Sequence, residues 1–351
     1  MFRAKTILVL GAGSSFEVGL PIGNNLLETI VELTHFSFEN FGRLTSGDPQ
    51  ILAALKLILD EGGDVKLLNE HLRAGRQLGR SARQALSIDN VIDALEDPQI
   101  ERLGKLGIAR AILKAEAESP QFRVDPETRA LDLGQFRDTW YSSLTKLLCE
   151  GVKRSQVGSV FDNLEIINFN YDRCLEHYLQ HSVSDYYGIR IDEVREAMGQ
   201  LTIHRPYGMT GRLPWRSGEG DGVEFGSGGV AQLANVAQQI RTFTEQIEEG
   251  ERLEAMRAAI AGADRIVFLG FAFHRQNVAL ISADIDDHTD VLATTLGISR
   301  SDQGVIESEL AEAFGYAGDS LQLNRAELAT MSCNDFFKEY WRTLTAAAQD
   351  Y

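Results

Sequence analysis

Short apolar runs, separated by polar and helical stretches, form the main pattern along this chain of 351 residues. The first run, Thr6 to Leu10, ends at Gly11-Ala12-Gly13, and apolar positions at helical spacing follow from about Gly19-Leu20-Pro21. This order predicts a buried strand, a tight glycine turn and a helix. Because glycine has no Cβ, such a turn lets backbone amides approach a phosphate closely, although it can also be a purely structural turn.

Four further apolar runs are interpreted as buried strands: Leu164 to Phe169, Leu201 to His204, Arg265 to Leu269 and Val291 to Thr294. Strands that alternate with helices form parallel sheets covered on both faces, so the chain is predicted to have an α/β fold with a Rossmann-like sheet. Residues at about 35–154 show helical patterning with little strand character. They predict a large helical insertion into a core of about 1–34 and 155–330.

The insertion contains four clear helical patterns: Ile51 to Leu59, Ile88 to Leu95, Ile100 to Glu118 and Leu133 to Val152. Ser87 or Asp89 is the expected N-cap of the second helix, because short polar side chains accept hydrogen bonds from a first turn. Gly104 and Gly107 cost stability inside a helix, so their presence in the third indicates close packing there.

The remainder of the chain predicts a loop and two helices. The glycine-rich segment at about 213–230 is expected to be a mobile loop, and a long helix is expected from about Val230 to Ala261. A C-terminal helix at about 331–351 carries aromatic residues at helical spacing between Cys333 and Ala348, which is typical of a core face and alternatively of an oligomer interface. We expect the whole chain to form one domain.

Composition narrows the classes of function. The formal net charge is −17, so the clustered basic surface of a direct nucleic-acid binder is not expected. The three cysteines, Cys149, Cys174 and Cys333, lie far apart in sequence, which argues against a zinc ribbon or a disulfide framework and fits a reducing cytoplasm. The apolar runs are too short for a signal peptide or a spanning helix, so no membrane contact is expected.

Chemically capable residues follow the predicted strand ends, where ligands bind in parallel sheets. After the second strand, Asn170 can hold a sugar hydroxyl or a water, whereas Asp172 can also be merely the cap of the next helix. At the third strand end, His204 is a candidate general base or a structural histidine, and Tyr207 follows it. Small, aromatic or polar residues follow the last two strands: Gly270, Phe271, His274, Asn277, Thr294 and Gly297.

The first glycine loop is an incomplete dinucleotide fingerprint, because Phe16 stands where a third glycine is expected. No acidic residue ends a second strand about twenty residues later, since that region is helical. A dehydrogenase that transfers hydride is therefore not favoured.

Taken in order, these motifs resemble the sirtuin superfamily. Gly11-Ala12-Gly13 with Ser15, Gly19 and Pro21 matches its glycine loop, Asn170 and Asp172 match its Asn-x-Asp motif, and Gly270 matches its ribose-binding strand end. The resemblance implies that Asn170 contacts the nicotinamide ribose and that Asp172 helps to hold nicotinamide. Together with the polar and small residues at the other strand ends, it predicts the remaining NAD contacts: Gly11, Ala12, Gly13, Ser14, Ser15, Pro21, Gly270, Phe271, His274, Asn277, Thr294 and Gly297.

Three departures separate the chain from the sirtuin deacetylases. Ile22-Gly23-Asn24 replaces their Asp-Phe-Arg, and their four-cysteine zinc module is missing. Tyr207 occupies the place of their catalytic histidine, which directly precedes a glycine, and His204 lies earlier. Deacetylation of acyl-lysine is therefore not expected, and no metal is predicted.

The chain is more similar to the bacterial sirtuin-like proteins of antiphage defence, on the stretches 87–90, 104–116, 168–173 and 269–271. This similarity implies an NAD⁺ glycohydrolase that takes NAD as substrate and depletes it in an infected cell. Asn170, Asp172 and either His204 or Tyr207 would carry the chemistry. A homo-oligomer and a partner such as a HerA-type hexameric ATPase are implied as well. The alternatives are a sensor that binds NAD or ADP-ribose without cleaving it, and a protein ADP-ribosyltransferase.

Overall fold

A six-stranded parallel sheet forms the centre of the protein. The computed structural model describes residues 1–40, 42–59, 65–125, 127, 130–218, 222–242, 245, 250–315 and 326–347. The strands are β1 (Thr6–Leu10), β2 (Ser37–Glu39), β3 (Arg43–Ser46), β4 (Leu164–Asn168), β5 (Ile203–His204), β6 (Arg265–Leu269), β7 (Asp290–Thr294) and β8 (Ala326–Ala329). The sheet has the order β5-β4-β1-β6-β7-β8, and β2 pairs with β3 in a separate hairpin. This is the 3-2-1-4-5-6 order of Rossmann folds, so the predicted fold class is confirmed.

All five predicted strands are present, with small differences at their ends. β4 ends at Asn168, β5 begins at Ile203 and β7 begins at Asp290. β1, β6 and β7 are buried throughout because helices cover both faces of the sheet. Ile7 and Val9 point into one apolar cluster, and Leu8 and Leu10 point into the other. β8 was missed, because its sequence Ala-Glu-Leu-Ala lacks β-branched and aromatic residues.

Fifteen helices surround the sheet and its hairpin within the described ranges. They are α1 (Ala12–Phe16), α2 (Gly23–Thr34), α3 (Pro49–Ile58), α4 (Val65–Ser81), α5 (Ile88–Leu95), α6 (Pro98–Glu118), α7 (Trp140–Cys149), α8 (Cys174–Tyr187), α9 (Ile191–Met198), α10 (Val230–Ala237), α11 (Gly250–Ala261), α12 (Arg275–Leu280), α13 (Arg300–Ala313), α14 (Cys333–Glu339) and α15 (Trp341–Thr345). Short 3-10 turns occur at Ala82–Gln84, Pro120–Phe122, Leu133–Phe136 and Arg154–Ser159. In the part of the chain that the structure describes, no helix has both the length and the apolarity to cross a membrane.

The helical insertion divides between the two faces of the sheet. α3 to α6 pack with α2 in the cluster that contains Ile7 and Val9. α7 lies on the other face, where Trp140 packs with α8 and α14. The helix predicted from Leu133 to Val152 is therefore wrong in extent, because a 3-10 turn ends at Phe136 and α7 begins only at Trp140.

Local details of α5 and α6 follow the sequence closely, whereas the β2–β3 hairpin within the insertion was not predicted. Ser87, and not Asp89, caps α5, since its hydroxyl accepts from the backbone N–H of Asn90 at 3.2 Å. A Cβ on Gly104 would lie 2.7 Å from the Ile92 side chain, and one on Gly107 would lie 2.6 Å from Ile30. The predicted close packing of α6 at its glycines is confirmed.

Two other predicted helices are interrupted. The long helix predicted from Val230 to Ala261 is broken, because α10 ends at Ala237 and residues 238–241 turn back onto the loop after β5. There the Arg241 N–H donates to the Tyr207 carbonyl at 3.1 Å, and a Cβ on Gly208 would meet the Gln239 carbonyl. The C-terminal helix breaks at Tyr340, whose ring stacks on Phe336 with centroids 4.4 Å apart.

The described part of the glycine-rich segment is held by a buried ion pair. Arg173 and Glu116 are both fully buried. They form two hydrogen bonds, because Arg173 Nε donates to Glu116 Oε1 and Arg173 Nη2 donates to Glu116 Oε2. Arg173 also donates to the carbonyls of Gly211, Val223 and Glu224, and Glu116 accepts from the Gly226 N–H at 3.0 Å. Val223, Glu224 and Gly226 are thus tied to α6 and to the start of α8, and the mobility expected of this segment stays a prediction. Residues 219–221 lie outside the described residues.

Two histidines on α8 are expected to make the fold sensitive to acid. Burial lowers the pKa of His177 to about 3 and that of His181 to about 4. The unfolded chain takes up these protons near pH 6.5, whereas the folded protein takes them up only near pH 4 and below, so stability should fall as the pH drops from about 6.5 to 4. We expect the urea midpoint of His177→Gln to depend less on pH across this range than that of the wild type.

The exposed His35 provides the control for this measurement. His35→Gln should keep the wild-type pH dependence of the urea midpoint. Equal pH dependence in wild type and His177→Gln would show that His177 is not a source of acid lability.

Candidate functional site

The candidate site lies at the carboxyl end of the sheet, where the predicted site residues follow their strands. β1 sits between β4 and β6, and the chain runs outward in opposite directions on its two sides. Such a reversal opens a crevice at the strand ends, which is where ligands bind in open α/β sheets. The segments that border this crevice are Gly11–Ser15 after β1, Asn168–Asp172 after β4 and Gly270–His274 after β6.

The glycine loops after β1 and β6 pack directly on each other. The Gly13 N–H donates to the Gly270 carbonyl at 2.9 Å, and the Gly11 N–H donates to the Leu269 carbonyl at 3.0 Å. Gly270 has a positive φ of 56°, and a Cβ there would lie 2.1 Å from the Ser14 nitrogen. These glycines therefore permit a close approach of two backbones, and the amides of Gly11 and Gly13 are engaged within the protein.

The chain after this first turn is helical from Ala12 to Phe16, which the sequence did not indicate. Ala12 is exposed at the start of α1, and Phe16 is 59% exposed at its end. Pro21 precedes α2, which begins at Gly23 and not at the predicted Gly19-Leu20-Pro21.

Asn170 is the best-anchored polar side chain of the site. It is buried, and its Nδ2 lies 3.0 Å from the Gly11 carbonyl, 3.2 Å from the Ser14 hydroxyl and 3.1 Å from the Ser15 hydroxyl. Its backbone N–H donates to Asn168 Oδ1 at 2.9 Å. Because these partners take up the amide hydrogens, Oδ1 is the side-chain atom that Asn170 can offer to a ligand hydroxyl or water.

Asp172 belongs to the same network and also shapes the start of α8. It accepts from the Cys174 N–H at 3.0 Å and from the Ser15 hydroxyl. Burial raises the pKa of this carboxyl, while the two hydrogen bonds act in the opposite direction. Arg173, and not Asp172, is the N-cap of α8, although Asp172 accepts from the N–H of the first helical residue, and Ser15 joins Asp172 to Asn170.

An arginine that the sequence analysis did not select hydrogen-bonds to the backbone of both residues. Arg205 is 5% exposed, and its Nη1 donates to the carbonyls of Asn170 and Asp172, each at 3.0 Å. Its Nη2 pairs with Glu176 on α8. No pattern along the chain could indicate this role, because the partners of Arg205 lie 29 to 35 residues earlier in sequence.

An aromatic cluster lies beside these strand ends. Phe169, Tyr207, Phe271 and Phe273 are in ring contact, with Phe169 lying 5.8 Å from Tyr207 and 5.0 Å from Phe271. The Tyr207 hydroxyl donates to Asn277 Oδ1 at 2.6 Å. Burial, with the charges of Asp89 and Asp93, raises the pKa of Tyr207, so its phenol stays protonated at neutral pH.

Tyr171 connects this cluster to α5. Its hydroxyl donates to Asp89 Oδ1 at 3.1 Å, and burial raises the pKa of the Asp89 carboxyl. Asp89 entered the sequence analysis only as a possible cap, so its position at the crevice was missed. The stretch 87–90 that carries part of the family resemblance therefore lies beside the candidate site.

His204 points away from Asn170. Its Nε2 lies 3.5 Å from Glu165 Oε2, on the side of β4 nearer the amino end. Among the described residues, neither His204 nor the Tyr207 hydroxyl hydrogen-bonds to Asn170 or Asp172. The structure thus gathers Ser14, Ser15, Asn170 and Asp172, and it separates them from both candidate bases.

The other predicted contacts spread along the same sheet edge. Thr294 accepts from the Gly270 N–H at 2.9 Å and therefore fixes the second glycine loop. Asn277 is engaged with Tyr207, whereas His274 is exposed and Gly297, with a φ of 82°, faces open space. Within the described ranges, no group of three or more His, Cys, Asp or Glu residues is arranged to hold a metal ion.

No protein-family model matches this chain, and no curated protein or solved structure does. The chemistry of the site must therefore be judged from its own geometry. That geometry offers a buried amide oxygen, a carboxylate of raised pKa and an aromatic wall at the topological switch point of a Rossmann-ordered sheet. Such an arrangement suits a polar ligand with an aromatic ring and sugar hydroxyls.

Proposed function

We propose that this protein binds NAD⁺ in the crevice at the ends of β1, β4 and β6 and hydrolyses its nicotinamide–ribose bond. The products would be nicotinamide and ADP-ribose. The observation that carries the proposal is the fixed Asn170 amide, whose three partners belong to the glycine loop that the family resemblance assigns to NAD.

The proposed chemistry requires little from a general acid. Nicotinamide leaves as a neutral molecule, and positive charge develops on the ribose as in other glycoside cleavages. Asn170 Oδ1 would orient a ribose hydroxyl or the attacking water, and Asp172 would hold the nicotinamide end. The aromatic cluster of Phe169, Tyr207 and Phe271 would keep bulk water from the reacting carbon.

A sensor that binds NAD or ADP-ribose without cleavage is the second candidate. The observation that favours it concerns the two candidate bases, because His204 lies against Glu165 and the raised pKa of Tyr207 keeps its phenol protonated. Neither of these two side chains is therefore placed to take a proton beside Asn170. Water can still attack a ribose that carries the positive charge of an oxocarbenium ion without such a base, which is why cleavage remains our main proposal.

Product analysis separates these functions. We expect purified protein incubated with NAD⁺ to release nicotinamide and ADP-ribose in equal amounts, as measured by liquid chromatography. Tight NAD⁺ binding with no nicotinamide released, alone or with its partner, would favour the sensor and contradict hydrolysis. Nicotinamide without matching ADP-ribose, with label from tagged NAD⁺ on a polypeptide, would identify a transferase.

The biological setting belongs to the same proposal. An NAD glycohydrolase that acted continuously would exhaust its own cell, so we propose cytoplasmic action in antiphage defence under the control of oligomerisation or a HerA-type ATPase. Measuring NAD⁺ loss with and without the neighbouring gene's product tests this control. A monomer that is fully active alone would contradict it.

A further inference from the structure

A groove of about 470 Å³ lies between α2 and the last turns of α4, with the 3-10 turn that follows α4 at one end. The two helices run in opposite directions: a Cβ on Gly75 would meet the Thr34 carbonyl oxygen, and one on Gly79 would lie 3.3 Å from Val31 Cγ1. Because both glycines lack a side chain, the helices can approach each other closely. The lining between them is small or apolar: Leu27, Val31, Gly79, Ala82 and Ala85.

Two rows of opposite charge border this groove. α2 presents Glu28 and Glu32, whereas α4 and the turn after it present Arg76, Arg80 and Arg83, and all five side chains are exposed. Spacings of three and four residues keep each row on one side of its helix. In the part of the chain that the structure describes, neither glutamate has a hydrogen bond or ion pair through its side chain, and no arginine of the row pairs with a carboxylate. Both rows are therefore open to an external partner.

The levels of the two rows along the groove indicate what kind of partner fits. Since Gly79 and Val31 are in contact, the helical rise places Arg80 within about 3 Å of the level of Glu32, and Arg83 within about 2 Å of the level of Glu28. A two-fold axis along the groove would keep these levels and set α2 of one copy over α4 of the other. Each glutamate would then face an arginine, whereas an axis across the groove would set α2 over α2 and bring like charges together.

We propose that the protein forms a two-fold dimer in which α2 of each copy packs on α4 of the other. The occupant of the groove is a second copy because one face supplies both the acidic and the basic row, which makes this face complementary to itself. Leu86, which is 71% exposed beside the lining residue Ala85, adds apolar surface at the end of the groove. The dimer does not depend on NAD cleavage, so either proposal can fail without the other.

Sedimentation equilibrium of the whole protein over a concentration series measures the dimer. We expect Arg80→Glu to weaken dimerisation about tenfold or more, because it sets a carboxylate opposite Glu32 of the second copy. Glu32→Arg should weaken it for the mirrored reason. The double variant Arg80→Glu with Glu32→Arg should restore dimerisation, since the opposite charges then face each other again in exchanged positions.

Arg190→Glu is the control for a change of the same charge elsewhere. The Arg190 side chain is 82% exposed at the start of α9, which packs on the other face of the sheet from α2 and α4. This variant should dimerise as the wild type does. A wild type that stays monomeric throughout the series would overturn the proposal, and so would unchanged dimerisation of Arg80→Glu. A double variant that associates no better than either single variant would also contradict it.

Discussion

Replacing Arg173 with methionine is expected to lower the free energy of unfolding by about 3–5 kcal/mol. The substitution leaves the Glu116 carboxylate fully buried without its cation, and it removes the donor that serves the backbone carbonyls of Gly211, Val223 and Glu224. Breaking a buried pair from one side is costly because the remaining charge cannot be solvated. Urea unfolding followed by circular dichroism measures the change.

The exposed pair of Arg275 and Glu309 provides the matched control. The Arg275 side chain is 83% exposed, so Arg275→Met should change the free energy of unfolding by less than about 1 kcal/mol. The double variant Arg173→Met with Glu116→Gln should recover part of the loss, because it removes the buried charge. If Arg173→Met unfolds at the same urea concentration as Arg275→Met, the buried ion pair does not stabilise the fold more than the exposed pair does.

Replacing Asn170 with alanine is expected to reduce NAD⁺ cleavage at least about a hundredfold, because reacting groups tolerate little misplacement. Alanine lacks the Oδ1 that would orient the ribose or water, and it leaves the Gly11 carbonyl and two serine hydroxyls without their shared donor. The initial rate of nicotinamide release gives the measurement, with a thermal unfolding curve to show that the variant folds.

Asn163 offers a control of the same residue type just before the other end of β4. Its Nδ2 donates to the Phe2 carbonyl at 2.9 Å, far from the crevice. Asn163→Ala should therefore keep the wild-type rate of nicotinamide release. A folded Asn170→Ala that cleaves NAD⁺ within a few-fold of the wild type would exclude Asn170 from the reaction.

The sequence predicted the strands better than the helices, for a physical reason. A strand buried on both faces consists of apolar residues whatever its neighbours are, so β1, β4, β6 and β7 were visible as short runs. The interruption after Ala237 depends on contact with Tyr207 and Gly208, which no local pattern contains. Helical periodicity continues through that segment although tertiary contact ends the helix.

The candidate site was likewise predictable in one respect and not in another. Its place at the strand ends could be predicted, because parallel strands share one carboxyl edge. The partners of its residues could not: Gly13 bonds to Gly270, and Asn170 bonds to Gly11, in both cases across more than a hundred residues. The direction of His204 towards Glu165 likewise depends on strand register, which the sequence does not specify.

The pair formed by Glu116 and Arg173 also bears on how this architecture can be divided. α6 lies within the segment that looks like an insertion, yet its last turn supplies the carboxylate for an arginine at the start of α8. A shortened chain without 35–154 would bury a lone guanidinium next to the Asn170 loop. The helical segment is therefore not a detachable module, and a shortened variant that keeps only the sheet core must replace Arg173 in the same step.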